Sequence, residues 1–315
     1  MIHFFLVALG FIMLILGADW LIKGAESIAL KFSVPEIIVG FTIVSFGTSA
    51  PELLVGIFAA LKGAPDITVG NVIGSNIFNL LPVLGISALI MPIASDMKAL
   101  KRYVPFSVLI LALLILMGQD YFMGQSGTIG IIDGAVLLTL FGLYLFLNIK
   151  VWRKTEEIKA ELVTFNPIIA ILLLTAGIGL LAAGGEITTR NAVEIARTFR
   201  VSEKMIGLTI IATGTSLPEL ITSVMAVIKR KPDIAVGNVI GSNIFNILLI
   251  LGVSSVISPL KFNPALNIDI IFLGIMSLLM LFAVISNRRK MLGRIAGTIM
   301  ITAFVLYWVF VFIRN

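Results

Sequence analysis

Two glutamates, Glu52 and Glu219, sit inside long apolar runs, each directly after a proline, in the blocks GTSAPE and GTSLPE. Both fall near the middle of their runs, where a carboxylate costs at least a few kcal/mol unless it is paired, protonated or bound to a cation. No Lys, Arg or His lies deep in any apolar run to act as a counter-base. An acid pair without a base is chemistry for cations or protons. Pro51 and Pro218 lack an N–H, which frees the carbonyls of Gly47 and Gly214, so each block is expected to break or kink its helix beside the acid. The adjacent hydroxyls of Thr48, Ser49, Thr215 and Ser216 add neutral oxygens. Carboxylates, hydroxyls and freed carbonyls together form a hard ligand set suited to Na⁺ or Ca²⁺.

A second block, VGNVIGSNIFN, occurs identically from Val69 and from Val236. Ser75 and Asn79 are four residues apart and share a helix face, as do Ser242 and Asn246, so these four are further candidates for the cation site. Asn71, Asn76, Asn238 and Asn243 occupy other faces and read as interhelical glue beside small-residue packing. No Gly-Lys-Ser/Thr follows the glycines, which argues against a nucleotide site. Two carboxylates neutralise one Ca²⁺, two Na⁺ or two protons in turn. A third Na⁺ would need neutral oxygens, which Thr48, Ser75, Thr215, Ser242 and the freed carbonyls could supply.

The two blocks belong to one internal repeat. Gly40–Gly85 aligns with Gly207–Gly252 at a constant offset of 167 residues, and 28 of the 46 aligned positions agree. The matches include Glu, Pro, Asn, Ser and Thr, which lipid-facing packing does not favour.

The elements that carry these residues follow from composition. Of 315 residues, 59% are hydrophobic and only 13% charged, which excludes a soluble globule. Apolar runs predict ten membrane-crossing helices near residues 2–28, 35–61, 67–92, 103–118, 127–149, 166–186, 202–228, 233–258, 268–286 and 295–313. Each half then holds five spans, an odd number, so the second half enters from the opposite face. The expected architecture is an all-α membrane protein with a first repeat at 1–150, a cytoplasmic linker at 151–165 and an inverted second repeat at 166–315. Such repeats place a transport site at their interface near mid-membrane.

Assigning connections alternately to two sides puts 16 of the 23 Lys and Arg on the side following odd-numbered spans. The positive-inside bias makes that side cytoplasmic, in a plasma membrane, with both termini outside. The net charge of +6 is therefore topogenic and gives no reason to expect nucleic acid. The absence of cysteine excludes disulfides, thiol nucleophiles and Cys-ligated metal. His3, the one histidine, reads as an interfacial end residue.

The paired blocks GTSAPE with GNVIGSNIFN and GTSLPE with GNVIGSNIFN resemble the alpha repeats of the calcium/cation antiporter superfamily, particularly its prokaryotic sodium/calcium exchangers. The resemblance covers all ten spans. It implies a secondary antiporter that moves Ca²⁺ against Na⁺, usually about three Na⁺ per Ca²⁺, by sliding its first and sixth helices over a rigid bundle. By motif position it implies that Glu52 and Glu219 hold Ca²⁺ with the main-chain oxygens of Thr48 and Thr215. Thr48, Ser75 and the Ser45 carbonyl would form an inner Na⁺ site, and Thr215, Ser242 and the Ala212 carbonyl an outer one, with Asn79 and Asn246 flanking the centre. Some family members carry Asp at the position of Asn246; with two acids here, K⁺ co-transport is not expected. The acid-His pair of proton-coupled relatives is also missing.

The alternative within transport is Ca²⁺/H⁺ or other divalent exchange through the same pocket. An intramembrane hydrolase would need an Asp pair or an HExxH-type motif, neither of which is present, and a channel is better served by rings of identical subunits. The expectation is a monomeric transporter in a lipid bilayer, with Ca²⁺ and Na⁺ as cargo, no enzymatic activity and no cofactor.

Overall fold

The computed structural model describes residues 2–62, 66–94, 96–119, 127–152, 165–201, 206, 209–210, 212–288 and 290–314. The first half contains α1 (Ile2–Lys31), α2 (Glu36–Val39, a π turn Gly40–Val44, then Ser45–Leu61), α3 (Asp66–Phe78, a π turn Asn79–Val83, then Leu84–Ile90), α4 (Met97–Gly118) and α5 (Ile131–Trp152). The second contains α6 (Pro167–Thr198), α7 (Ala212–Gly214 and Leu217–Ile228), α8 (Pro232–Phe245, a π turn Asn246–Leu251, then Gly252–Ile257), α9 (Leu266–Ser286) and α10 (Arg294–Arg314). Nine of these helices are long and apolar enough to cross a membrane; α7 is described in two shorter pieces. The fold is an all-α membrane protein of two inverted five-helix repeats.

Several boundaries differ from those expected. Helix α4 begins at Met97, six residues early, because Asp96 caps it by accepting from the Lys98 and Ala99 main-chain N–H groups. Helix α6 continues to Thr198 through a polar stretch, TTRNAVEIART, that no apolar count assigns to a span. Helix α5 carries on to Trp152, two residues into the expected linker, and residues 153–164 lie outside the described ones. Short strands interrupt the all-helical picture. β1 (Ile93–Ala94) pairs antiparallel with β4 (Met291–Leu292), and β2 (Thr128–Ile129) with β3 (Leu260–Lys261), each joining a loop of one half to a loop of the other.

Packing divides the helices into two bodies. Helices α1 and α6 lie along each other through glycines. A Cβ on Gly17 would sit 2.9 Å from the Gly177 carbonyl oxygen, and one on Gly177 would sit 2.7 Å from the Leu21 nitrogen, so this backbone approach admits only glycine. The other body is centred on α2, α3, α7 and α8, which hold most of the buried polar residues. Over 60% of the α2 span and 78% of the α3 and α8 spans are buried, against 11% for α10, so the helices carrying the repeat motifs are the most enclosed.

Candidate cation site

The conserved register of the two halves brings the motif residues to the centre of the bundle. Glu52 on α2 is 1% exposed, and Glu219, in the first turn of the second α7 piece, is fully buried. Among the described residues neither meets a Lys or Arg. Both Oε atoms of Glu52 and Oε2 of Glu219 are buried and make no hydrogen bond; the remaining oxygen, Glu219 Oε1, accepts from the Ser49 hydroxyl at 3.1 Å. Buried carboxylate oxygens left unpaired by protein are costly unless something positive meets them.

The two proline blocks are built differently. In α7 the helix breaks at Thr215 and Ser216, and Pro218 sits in the first turn of the new helix, where a missing N–H costs nothing. In α2 the expected break at Pro51 does not occur: Ser45–Leu61 runs through it as one helix, and the irregularity lies upstream in the π turn Gly40–Val44. The carbonyls at this turn are met by side chains. The Ser45 hydroxyl donates to Gly40 O at 2.6 Å, and the buried Tyr144 hydroxyl of α5 donates to Phe41 O at 2.7 Å. The π turns at Asn79 and Asn246 were not legible, because only the first contains a proline, Pro82. Both begin on a candidate site residue, and π turns concentrate at functional positions.

Of the twelve residues expected at the site, Ser45, Thr48, Ser49, Glu52, Ser75, Asn79, Ser216, Glu219, Ser242 and Asn246 are all buried to 3% exposure or less. Thr215 is partly buried, with an enclosed Oγ1 that makes no hydrogen bond. Ala212 lies in the short turn before it, so its carbonyl is on the same segment. Thr48 Oγ1 lies 3.3 Å from Ser242 Oγ, across the two halves, while Ser75 Oγ and Thr215 Oγ1 have no hydrogen-bond partner. Asn79 is likewise buried with neither side-chain atom bonded, and Asn246 leaves only its oxygen unbonded. The site is thus a nest of unpaired oxygens around two acids. Among the described residues no group of three or more His, Cys, Asp or Glu is formed.

Sequence reasoning assigned Asn238 to packing, yet it is wired into this nest. Its Oδ1 accepts from Thr48 Oγ1 at 2.9 Å, and its Nδ2 donates to Ser223 Oγ at 3.0 Å. The signal was available in the repeat: the residue matching Ser223 in the first half is Gly56, so the relay can exist on one side only. Asn76 and Asn243 do act as glue, each Nδ2 donating to the other's main-chain carbonyl at 3.1 Å. Among the described residues, Asn71 makes no side-chain hydrogen bond. His3 Nδ1 meets Asn191 Oδ1 at 2.8 Å and ties the start of α1 to α6, remote from the nest.

The two faces of the nest are unequal. On one, α2 presses on α8: a Cβ on Gly40 would lie 2.9 Å from the Gly237 Cα, and Ser45 Oγ reaches the Gly237 and Asn238 carbonyls at 3.3 and 3.1 Å. The inverted counterpart of Gly237 is Gly70 of α3; residues 207, 208 and 211, of the segment that corresponds to the start of α2, lie outside the described ones. Around Gly70 and Gly74 no described atom lies within 4 Å of a would-be Cβ. A cavity of about 280 Å³ opens there, lined by both glycines, Ile73, Phe78, Thr213 and Asp269 among others. Asp269 pairs with Arg314 at 2.9 Å and accepts a hydrogen bond from the Tyr307 hydroxyl at 3.0 Å.

Comparison with known proteins fits this geometry. A family model described as sodium/calcium exchanger protein matches residues 2–150 and 169–313, one match per half. The chain belongs to the sodium/calcium exchanger protein family. It is 39% identical over 312 residues to the putative antiporter CaxA of Alkalimonas amylolytica, covering 96% of both chains. It is 29% identical to the sodium/calcium exchanger MaX1 of Methanosarcina acetivorans, covering 82% of this chain and 84% of that one. A solved structure of the sodium-calcium exchanger NCX_Mj, soaked with Na⁺ and Sr²⁺, superposes with a TM-score of 0.81 at 34% identity over 97% of each chain. Membership of this family supports cation exchange across a membrane.

Proposed function

We propose that this chain is a secondary antiporter that exchanges Na⁺ for Ca²⁺ by alternating access, with Glu52 and Glu219 as the charged ligands of a mid-membrane site. The observation that carries the reading is the pair itself: two buried glutamates, 167 residues apart, with three of their four oxygens unpaired by protein. Two negative charges balance one Ca²⁺ or two Na⁺, so occupancy by one ion excludes the other and couples their movement. Thr48, Ser49, Ser75, Asn79, Thr215, Ser216, Ser242, Asn246 and the carbonyls of Ser45 and Ala212 complete the coordination as neutral oxygens.

The α2–α8 face, closed by backbone contact at Gly40 and Gly237, belongs to one of two states that the inverted repeat can adopt. The paired α1 and α6 are the body that moves between them. With the Lys/Arg-rich connections in the cytoplasm of a cell carrying this protein in its plasma membrane, the sealed face is cytoplasmic, and Ile2 and Arg314 lie outside. The exchanger works as a monomer, with residues 1–150 and 166–315 as its two repeats. It uses no cofactor, catalyses no reaction on its ions and does not need K⁺.

The test is Ca²⁺ uptake into sealed proteoliposomes driven by an outward Na⁺ gradient. Uptake that collapses without the Na⁺ gradient and in Glu52→Gln and Glu219→Gln is expected. Uptake driven equally by a proton gradient with Na⁺ absent would replace Na⁺ by H⁺ as the coupling ion, and uptake indifferent to both substitutions would overturn the site.

A further inference from the structure

The amide contacts at the repeat interface single out Asn76. Its Nδ2 donates to the main-chain carbonyl of Asn243 at 3.1 Å, and its Oδ1 accepts from Asn246 Nδ2 at 3.0 Å. Asn76 and Asn246 are fully buried and Asn243 is 7% exposed, so no water competes for these groups.

Chemistry alone orients the chain of contacts. A main-chain carbonyl can only accept, so the end of the Asn76 carboxamide facing Asn243 must be its nitrogen, and the end facing Asn246 must be its oxygen. Two oxygens do not sit 3.0 Å apart without a proton between them, so Asn246 turns its nitrogen to Asn76 and its oxygen away. That oxygen is buried and makes no hydrogen bond. Asn246 stands one helical turn after Ser242, on the same face of α8, at the start of the π turn. The first half has no such device. Asn79, the counterpart of Asn246, has both side-chain atoms unbonded, because Asn243 reaches Asn76 O with its nitrogen and leaves its own Oδ1 unbonded.

We propose that Asn76 is a positioning residue for the cation site: it locks the Asn246 carboxamide so that an oxygen, and never the NH₂ group, faces the ion. The inference rests on the cation-site reading given above and adds a residue to it. Without Asn76 the Asn246 amide is free to turn, and half of its orientations present a donor where a cation needs an acceptor. Helix glue alone would give Asn76 and Asn243 the same role. The lock on Asn246 belongs to Asn76 only.

The test compares Asn76→Ala, Asn243→Ala, Asn246→Ala and the double variant Asn76→Ala with Asn246→Ala. Binding of Ca²⁺ alone and of Na⁺ alone is measured by calorimetry on purified protein, and exchange rate in proteoliposomes. Asn76→Ala is expected to weaken binding of at least one of the two ions about tenfold while leaving the maximal exchange rate within twofold. Asn243→Ala is expected to lower thermal stability by a similar amount to Asn76→Ala but to leave both affinities within twofold. In the Asn246→Ala background, Asn76→Ala is expected to add less than twofold. Unchanged affinities in Asn76→Ala, equal losses in Asn243→Ala, or additive losses in the double variant would each overturn the positioning role. A wild-type protein that binds both ions and exchanges them, with Asn76→Ala indistinguishable from it, would sink this proposal alone; a wild-type protein that binds neither would sink the cation-site reading and this one with it.

Discussion

The Ser49 hydroxyl of α2 donates to the Glu219 carboxylate of α7 at 3.1 Å, while the same relation carried through the repeat, Ser216 to Glu52, is not made. The Ser216 hydroxyl and both Glu52 oxygens are buried without partners. The two acids are therefore equivalent in sequence and unequal in place: one is oriented by a neighbour and the other is held by its helix alone. A hydrogen bond to a charged group contributes about 1.5 to 3 kcal/mol.

Ser49→Ala is accordingly expected to weaken Ca²⁺ binding about tenfold, because Glu219 loses its orienting donor. Ser216→Ala is expected to cost less, about threefold, since it removes a neutral oxygen from the coordination but breaks no bond to Glu52. Calorimetric titration of both variants checks the order. Equal effects would mean that the Ser49 contact does not orient Glu219 in the ion-bound form.

A second asymmetry lies at the end of the bundle where α2 meets α8. Asp19 of α1 pairs with Lys229 and, at 2.8 Å, with Lys23, and Lys231 pairs with Glu26 and Glu36 at 2.7 and 2.5 Å. These bonds fasten α1 and the start of α2 to the turn before α8. The repeat maps Asp19, Lys23 and Lys229 onto Glu186, Arg190 and Lys62, charged residues of the same sign that are exposed and, among the described residues, form no ion pair with one another. The paired set is thus the fastened one and its image the released one. Asp19→Asn should loosen the fastened face. With no native cysteine, Ile38→Cys in the buried start of α2 can report it through labelling by a membrane-impermeant maleimide, expected to speed several-fold when Asp19 is neutralised. An unchanged labelling rate would leave the ion pairs without a role in closure.

The same cluster carries a pH dependence with a definite sign. Burial works against the charge of Lys231, but its bonds to Glu26 and Glu36 outweigh it and hold the ammonium above the usual lysine value of 10.5. A group raised in the folded state stabilises fully below its unfolded value and loses that contribution as pH climbs through the folded one. Wild-type thermal stability should therefore fall more steeply than that of Lys231→Gln only above about pH 10.5, with parallel curves between pH 7 and 9. A divergence that begins near neutrality would point to a different group.

How much of this was legible beforehand depended on the kind of information each feature needs. The number of spans, the repeat and the two glutamates are composition and spacing, which the sequence holds; span ends set by a cap at Asp96 or by the polar stretch to Thr198 are not. The Pro51 break was misplaced because a proline frees a carbonyl wherever it stands, but whether the helix breaks there or bends upstream depends on what meets the freed groups. In α2 the irregularity sits upstream instead, at the π turn, where the Gly40 and Phe41 carbonyls are met by Ser45 and by Tyr144, about 100 residues away. Asn238 was read as glue because asparagine at a helix interface is usually that; its contact with Thr48 exists only once α2 and α8 touch at Gly40 and Gly237. The identical strings from Val69 and Val236 could not reveal that Asn246 is locked and Asn79 is not, since identity of sequence says nothing about which half is closed.

That last point makes Gly70 the sharpest test of alternating access. Its counterpart Gly237 cannot bear a side chain in this state, because a Cβ there would lie 2.8 Å from the Gly40 Cα, a backbone atom that cannot swing aside. Gly70 has no described atom within 4 Å of its own would-be Cβ, and valine has a better helix propensity than the glycine it replaces, by about 0.3 kcal/mol. If the other state is the observed one inverted, Gly70 must then approach residue 207 as Gly237 approaches Gly40, and the valine side chain blocks it. Gly70→Val is expected to fold, to bind Ca²⁺ within twofold of wild type, and to exchange at least tenfold more slowly. Gly237→Val is expected to lose thermal stability as well, because it disrupts a contact already made. Normal turnover in Gly70→Val would show that the two faces do not trade places.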